Sequence, residues 1–281
     1  MNKRLLLVLD LNGTLVLRSR SGSTVFHRPY LRTFLRYLSV ASSDPKISGL
    51  SVIDLVVWSS ARPHSVEKMV KEIFGPSSSL LAIWDRTHLG LSEEEYCAYR
   101  YRKVRSLTHV YELVDGKVQV TKDLQKLWAA FPHHSSATTI LLDDSARKAR
   151  LQPYNHLCVS EYNNVMHKET KAALEATQVD VGSRSSLDQT LLAVVGILET
   201  LRKESNISSW IRRGSLLDIA SSCPADAETS AATRTEPATE PGTEPEVEKL
   251  ASWWEQPDTM EFWMRAGCAV LQKLDINITD D

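Results

Sequence analysis

The stretch Leu5-Leu-Leu-Val-Leu-Asp10-Leu-Asn-Gly-Thr-Leu15 decides the fold, because it joins an apolar run to a polar turn. Five consecutive apolar residues predict a strand that is buried on both faces, as in a parallel sheet. Asp10 then stands at the carboxyl end of that strand, and Gly13 suits the tight turn that follows. Ligands of open α/β sheets bind at this edge. Asp10, Asn12 and Thr14 are therefore the first candidate site residues.

Four further short apolar runs are predicted to be strands of the same sheet. Between the runs, apolar residues recur three and four positions apart, which is typical of helices that pack one face on a sheet. The predicted strands are Leu5–Leu9, Val52–Trp58, Leu80–Trp84, Thr138–Leu142 and Leu157–Val159, and the predicted helices are Pro29–Leu38, His64–Phe74, Lys122–Phe131 and Leu187–Lys203. This alternation predicts an α/β fold with a doubly wound, Rossmann-like parallel sheet.

Composition limits the possible functions. The 281 residues are 42% hydrophobic, which is enough for a sizeable core. A formal charge of -2 gives no chain-wide basic surface, so nucleic acid is not expected as a partner. No apolar stretch is long enough to cross a membrane, and the four cysteines form no CxxC pair and are interpreted as reduced thiols. We therefore expect a nuclear or cytoplasmic protein without a membrane partner.

Charge and apolar content divide the chain into three parts. Residues 1–205 are predicted to form the α/β domain. Residues 206–250 are predicted to be a disordered linker, because Thr-Glu-Pro recurs there every four residues and residues 224–248 carry seven acids against one arginine. That segment has a charge of -6, which leaves +4 on the rest of the chain. The positive charge of the rest of the chain favours anionic substrates. Residues 251–277 are predicted to form a tryptophan-rich helix docked on the domain; the alternative is a partner-binding helix on a tether.

Polar residues also follow the other predicted strands. Ser59 follows the strand Val52–Trp58, and Asp143 and Asp144 follow the strand Thr138–Leu142. Since the carboxyl ends of parallel strands meet at one edge of a sheet, we expect these side chains to lie near Asp10.

A lysine and the paired carboxylates suit phosphate chemistry. Lys122 heads a predicted helix, where its ammonium would neutralise phosphate charge, and the paired carboxylates of Asp143 and Asp144 offer the oxygen ligands that Mg²⁺ requires. Each of these residues alone is more often a cap, a turn residue or a solvated side chain. Their occurrence in this order, each at the end of a strand or the start of a helix, predicts a combined phosphate and magnesium site.

The motifs DxNGTL, apolar-run-WSSA, KDL and LLDDS resemble the four motifs of the haloacid dehalogenase superfamily, in the NLI-interacting-factor-like branch of small phosphatases that act on the RNA polymerase carboxy-terminal domain. The segment His27-Arg28-Pro29-Tyr30-Leu31 is similar to the Arg-Pro-x-Leu signature of that branch. The resemblance covers about residues 4–203. It implies a haloacid dehalogenase-type sheet with a small insertion, here the Tyr- and Arg-rich residues 85–120, a Mg²⁺ cofactor, and a phosphoprotein or phosphopeptide as substrate or partner.

The resemblance also implies residue roles. Asp10 would accept the phosphoryl group, Ser59 would contact the phosphate oxygens, and Lys122 would steady both. Asp144, supported by Asp143, would bind Mg²⁺ together with Asp10 and the main-chain carbonyl of Asn12. The residues expected to contact the substrate are Thr14, Arg28, Ser60 and Arg62.

Asn12 departs from the family pattern, which has an aspartate at this position. That aspartate protonates the leaving alkoxide and then deprotonates the water that clears the aspartyl-phosphate, and an amide can do neither. Such acid–base help is worth typically about 10²- to 10⁴-fold in rate. Two hypotheses follow: a phosphatase that is slow, restricted to good leaving groups, or dependent on another proton carrier such as His27; or a pseudophosphatase that binds phosphopeptides or a protein partner.

Overall fold

The computed structural model describes residues 4–19, 24–43, 50–75, 79–90, 111–114, 117–177, 187–218 and 252–279. The strands are β1 (Arg4–Leu9), β2 (Val16–Arg18), β3 (Val25–His27), β4 (Val52–Trp58), β5 (Leu80–Trp84), β6 (Tyr111–Val114), β7 (Lys117–Val120), β8 (Thr139–Asp143) and β9 (His156–Cys158). The α-helices are α1 (Leu31–Ala41), α2 (Pro63–Phe74), α3 (Gln125–Ala130), α4 (Asn164–Thr177), α5 (Thr190–Leu201), α6 (Ile207–Arg212) and α7 (Pro257–Lys273).

Five strands form a central sheet in the order β5-β4-β1-β8-β9, and every neighbouring pair is parallel. The chain therefore builds outward from β1 to β4 and β5 on one side, and later to β8 and β9 on the other. This change of direction beside β1 creates the crevice at which open α/β sheets bind their ligands. The predicted α/β class with a parallel sheet is confirmed.

Alternate residues of β1 face two separate cores. Leu5, Leu7 and Leu9 join the larger core, to which α1, α2 and α5 also contribute, whereas Leu6 and Val8 join a smaller one. All five side chains are at most 1% exposed. Because each face of the sheet is covered by a layer of its own, β1 has no polar position among these five residues.

Two differences from the sequence predictions concern Lys122 and the predicted linker. The helix expected to begin at Lys122 begins at Gln125, and Lys122 lies in the connection before it, where its backbone N–H donates to the Lys148 carbonyl at 2.8 Å. Residues 206–218, which are predicted to belong to the linker, pack on the larger core. Asn206 caps α6 by accepting a hydrogen bond from the Ser209 backbone N–H at 3.0 Å, and Trp210 is buried in the larger core. The apolar residues of α6 supply enough buried surface to order it.

Two segments of the sequence analysis lie wholly or largely outside the described residues. They are the Thr-Glu-Pro repeats and the central part of the Tyr- and Arg-rich insertion. The described end of that insertion is the antiparallel hairpin of β6 and β7.

The C-terminal helix α7 packs against α5 across a pair of glycines. A Cβ added to Gly267 would lie 1.9 Å from the Leu192 carbonyl oxygen, so only glycine allows the two helices to approach this closely. The indole N–H groups of Trp253 and Trp263 donate to the carbonyls of Cys158 at 2.6 Å and Leu216 at 3.0 Å. The described part of the C-terminal segment thus belongs to the same core as the sheet. Among the described helices, none is long and apolar enough to span a bilayer.

Candidate active site

Asp10 leaves β1 at the carboxyl edge of the sheet and is followed by a turn that only glycine can complete. Gly13 has a φ of 93°, and a Cβ there would lie 2.9 Å from Oδ2 of Asp144. The turn is fixed by hydrogen bonds from the Gly13 N–H to the Val16 carbonyl at 2.8 Å and from the Tyr162 N–H to the Gly13 carbonyl at 2.6 Å. The close approach of residue 13 brings the Asp144 carboxylate next to the loop that carries Asp10.

Lys122 joins two of the carboxylates at this edge. Its ammonium donates to Oδ1 of Asp10 at 2.8 Å and to Oδ2 of Asp143 at 2.6 Å. The Lys122 side chain is fully buried, and that of Asp10 is 3% exposed. An ammonium at this distance fixes the orientation of the Asp10 carboxylate and lowers the repulsion that an approaching anion would meet.

Asp143 is a buried anion that is held by cations on both oxygens. Burial alone would raise its pKa, but the charges of Lys122 and Lys148 outweigh burial and hold the pKa of Asp143 well below its usual value. His156 donates from Nε2 to the Asp143 carbonyl at 3.1 Å, and burial lowers the pKa of His156 to about 4. Asp143 is therefore ionised and His156 is neutral at pH 7.

Asp144 is the most exposed carboxylate of the three, with a side chain that is 15% exposed. Burial raises the pKa of Asp144 to about 7; the negative charges of Asp143 and Asp10 act in the same direction, and Lys148 opposes them. The Thr14 hydroxyl accepts a hydrogen bond from the Asp144 N–H at 3.1 Å and donates to Oδ1 at 3.3 Å. Thr14 is fully buried and its hydroxyl positions Asp144, so its contact with substrate remains a prediction.

Lys148, which no sequence motif indicated, lies among all three carboxylates. Its ammonium is 3.3 Å from Oδ2 of Asp10, 3.0 Å from Oδ1 of Asp143 and 3.3 Å from Oδ1 of Asp144. Burial lowers the pKa of Lys148, but these negative charges outweigh it and leave the pKa well above its usual value. The one available signal is its position four residues after Asp144, on the 3₁₀ turn Ala146–Ala149.

Ser59 reaches the same edge from the neighbouring strand. Leu9 of β1 pairs with Val57 of β4, so Ser59 leaves β4 beside the Asp10 loop. The Ser59 hydroxyl is buried and accepts a hydrogen bond from the Ala61 N–H at 3.3 Å. Ser60 is half-buried and Arg62 is exposed at the start of α2, where both remain predicted substrate contacts.

Residues 5–208 match the NLI interacting factor-like phosphatase family, which spans most of the chain. The chain belongs to this family. It is also 27% identical over 230 residues to an uncharacterised FCP1 homology domain-containing protein of Schizosaccharomyces pombe, and the match covers 75% of this chain and 76% of the relative. The family resemblance read from the four motifs is confirmed.

Two solved structures are more distant neighbours. The structure of Fcp1, described as an essential RNA polymerase II CTD phosphatase, has a TM-score of 0.41 at 14% identity, covering 76% of this chain and 71% of that one. A fission yeast Fcp1 variant bound to beryllium fluoride has a TM-score of 0.36 at 14% identity, covering 75% of this chain and 70% of that one.

Arg28, from the Arg-Pro signature of this NLI interacting factor-like phosphatase, is bonded within the protein, and its contact with substrate remains a prediction. Its side chain is completely buried and donates to Asp188 at 2.6 Å, to the Thr14 carbonyl at 3.0 Å and to Ser160 at 2.7 Å. Its partners come from the loop after β1, the loop after β9 and the start of α5. Arg28 therefore ties three segments together behind the site.

Asn12 is exposed at the mouth of the phosphatase-like site. Its Oδ1 accepts a hydrogen bond from the Arg18 backbone N–H at 2.8 Å, and its backbone forms a bridge with Val16. His27, the other residue considered for proton transfer, pairs with Val16 across the β2–β3 hairpin. The amide of Asn12 is thus used as a structural acceptor.

The donor set fits a magnesium ion, which phosphatases of the haloacid dehalogenase superfamily generally use. Carboxylate oxygens of Asp10, Asp143 and Asp144 lie within 4.8 Å of one another. Hard oxygen donors are the ligands that Mg²⁺ takes in proteins. The side chain of Asp143 is fully buried, whereas those of Asp10 and Asp144 are 3% and 15% exposed, so these two are the side chains that suit the ion best.

Proposed function

We propose that this protein is a Mg²⁺-dependent phosphatase that cleaves phosphomonoesters, with phosphoproteins as its substrates, through an aspartyl-phosphate on Asp10. The observation that carries the proposal is the position of the Asp10 carboxylate: it stands at the carboxyl edge of β1, 2.8 Å from the buried ammonium of Lys122 and beside two further carboxylates. A nucleophilic carboxylate that a fixed cation orients is the arrangement that phosphoryl transfer through a covalent intermediate requires.

In the first step, an oxygen of Asp10 attacks phosphorus while the bond from phosphorus to the leaving oxygen breaks. Lys122 binds Oδ1 of the carboxylate, and the Ser59 hydroxyl, which follows the adjacent strand, would contact the phosphate oxygens. Asp10, Asp144 and the main-chain carbonyl of Asn12 would hold Mg²⁺, which supplies positive charge for the phosphate oxygens when it is bound. Water then attacks the phosphorus of the aspartyl-phosphate, the bond between phosphorus and the Asp10 oxygen breaks, and the water protons leave with the released phosphate, which restores the Asp10 carboxylate.

The leaving oxygen decides how well this protein can complete the first step. A serine or threonine alkoxide needs a proton as it departs, whereas an aryl oxide is stable without one. Asn12 has no acidic proton, and its carbonyl oxygen already accepts from Arg18. We therefore expect kcat/KM, which reports this first step, to be much larger for aryl phosphates than for phosphoserine or phosphothreonine, whereas hydrolysis of the aspartyl-phosphate is common to both.

A second candidate function is phosphopeptide binding without turnover. It is favoured by the state of the nucleophile: Lys122 binds one oxygen of Asp10 and Lys148 binds the other. In this case the same edge would hold a phosphorylated partner protein. The free thiols of Cys158 and Cys268 support a nuclear or cytoplasmic location for either function.

Initial rates on p-nitrophenyl phosphate and on a phosphoserine peptide, with Mg²⁺ and with chelator, test the proposal. We expect wild-type activity on the aryl phosphate that requires Mg²⁺ and is lost in Asp10→Asn. Asn12→Asp should raise the rate on the phosphoserine peptide by up to about 10²- to 10⁴-fold.

The matched control is Asp54→Ala, which removes a buried, ion-paired carboxylate near the amino ends of the strands. This change should leave both rates unchanged. Activity that survives in Asp10→Asn would overturn the proposal. A wild type that cleaves neither substrate and still binds the phosphopeptide would establish the second candidate.

A further inference from the structure

Three carboxylates and two ammonium groups meet at the carboxyl edge of the sheet, and the two lysines are placed differently. Lys122 is completely buried and donates to Asp10 and Asp143 at 2.8 and 2.6 Å. Lys148 contacts all three carboxylates at longer and nearly equal distances, 3.0 to 3.3 Å. The Lys148 ammonium therefore lies near the centre of the three carboxylates of Asp10, Asp143 and Asp144.

The oxygens that Lys148 contacts belong to the residues that suit the metal. It meets Oδ2 of Asp10 and Oδ1 of Asp144, the two side chains that we assign to Mg²⁺ in the proposed function. A magnesium ion binds oxygen at about 2.0–2.1 Å, so the carboxylate oxygens must move closer together when the ion binds. The ammonium of Lys148 then has no room at the same point. The two cations compete for one position.

The Lys148 side chain is partly exposed to solvent, and that of Lys122 is not. The side chain of Lys148 is 15% exposed and extends from a short 3₁₀ turn, whereas Lys122 is 0% exposed. Rotation of the flexible lysine stem moves the ammonium toward solvent without moving the backbone. The turn itself is held by the Lys148 N–H donating to the Ser145 carbonyl at 3.0 Å and by the Lys122 N–H donating to the Lys148 carbonyl at 2.8 Å.

We propose that Lys148 is a tethered cation that occupies the metal position in the metal-free protein and must swing out before Mg²⁺ binds. This inference rests on the proposed metal site. Lys148 keeps the three carboxylates together when no ion is bound, and it weakens the affinity for the ion that displaces it. Lys148 is a positioning residue in this role, because it acts through the carboxylates.

Metal titration of the intact protein tests the inference without any need for turnover. Binding of Mn²⁺, followed by the loss of the free-ion paramagnetic resonance signal, stands in for Mg²⁺, with competition by Mg²⁺ as a check. Lys148→Met removes the charge and keeps an unbranched stem, and it should tighten binding by about tenfold or more. Lys148→Arg keeps a positive charge and should bind less tightly than Lys148→Met.

Arg147→Met is the matched control, because Arg147 is an exposed cation one residue away on the same turn. Its effect should stay within about threefold, since solvent screens exposed charges. Asp144→Asn should abolish the tight binding gained in Lys148→Met, which would place the ion at this site. An affinity in Lys148→Met equal to or weaker than that of wild type overturns the inference.

Loss of the ammonium leaves buried carboxylates unpaired, so Lys148→Met and the more polar Lys148→Gln are also followed by thermal unfolding. If both variants unfold without metal and recover when Mg²⁺ is added, the inference is supported, and failure to recover counts against it. A wild type that binds Mn²⁺ but cleaves no phosphate would contradict the proposed function alone. An active wild type together with unchanged metal affinity in Lys148→Met would contradict this inference alone.

Discussion

The central sheet carries a cluster of charged side chains with buried carboxylates at each end of its strands, and the two clusters differ in the number of cations for each carboxylate. At the amino end, one carboxylate, Asp54, is bonded through both oxygens to Arg4 and accepts a further hydrogen bond from His134 at 3.1 Å. At the carboxyl end, three carboxylates share two lysine ammonium groups. The first cluster has more donors than its anion needs, and the second has fewer cations than anions.

This difference separates a cluster that stabilises the fold from one that can bind a ligand. A single carboxylate that has a cation of its own gains little from another, whereas three carboxylates that share two cations keep surplus negative charge and attract a third cation. Asp54, His133 and His134 also bring possible metal ligands within 4.8 Å of one another. Arg4 already takes both oxygens of Asp54, and His133 is 3.9 Å away, so this group behaves as an ion-pair network.

Removal of Lys122 from the carboxyl-end cluster should lower the free energy of unfolding more than any change at the amino end. Lys122→Met leaves Asp10 and Asp143 buried with one cation fewer, and the loss of one partner from a buried ion pair costs about 3–5 kcal/mol. We expect the free energy of unfolding in urea to fall by that amount, together with phosphatase activity. The control is Lys168→Met, which changes an exposed lysine of α4 and should cost less than about 0.5 kcal/mol. Equal stability of the two variants would mean that Lys122 does not carry the pairing.

The corresponding change at the amino end should be smaller and purely structural. Asp54→Ala releases Arg4, which is 46% exposed and returns to water, but leaves His134 buried without its carboxylate partner. We expect a loss of about 1–3 kcal/mol in urea unfolding. KM and kcat for the aryl phosphate should not change. A kinetic effect of Asp54→Ala would show that the two ends of the sheet are coupled.

Acid should reduce the difference in the free energy of unfolding between wild type and Asp54→Ala. Burial alone would raise the pKa of Asp54, but hydrogen bonds and charges from Arg4 and His134 outweigh it and hold the pKa well below its usual value. The carboxylate therefore stabilises the fold fully above its unfolded pKa of about 4, and this contribution is lost as the pH falls toward the folded pKa. Urea unfolding at pH 7, 5, 4 and 3 measures the gap, which should shrink below about pH 4. A gap that is constant with pH would contradict the assigned role of Asp54.

The parts of the fold that could be read from the sequence are those with long apolar runs. The strand Val52–Trp58 is found at the predicted residues, because seven consecutive positions are buried and almost all are apolar. The hairpin of β2 and β3 has strands of only three residues, and α4 has a weak apolar pattern, so neither was predicted. Short or largely exposed elements leave no periodic signal.

Some residues of the site could also be predicted from the sequence, and others could not. Asp10, Asp143 and Asp144 were predicted to meet because all three stand at the ends of parallel strands, and the structure brings their oxygens together. The burial of Arg28 depends on Asp188, which is 160 residues away along the chain, and no local pattern indicates such a partner. Lys148 was missed because a lysine on a short turn resembles any solvated lysine. Pairing over long sequence distances is set by the packed fold.

The turn after Asp10 also affects the rate at which Asn12 deamidates during storage. An Asn-Gly sequence deamidates when the glycine nitrogen attacks the side-chain carbonyl carbon of the asparagine. Here the Gly13 N–H is held by the Val16 carbonyl, and the side-chain oxygen of Asn12 is held by the Arg18 N–H. Both reacting groups are restrained away from ring closure, so the folded protein should keep its amide during long storage. An unfolded chain has no such protection, and the covalent identity of residue 12 therefore depends on the integrity of the fold.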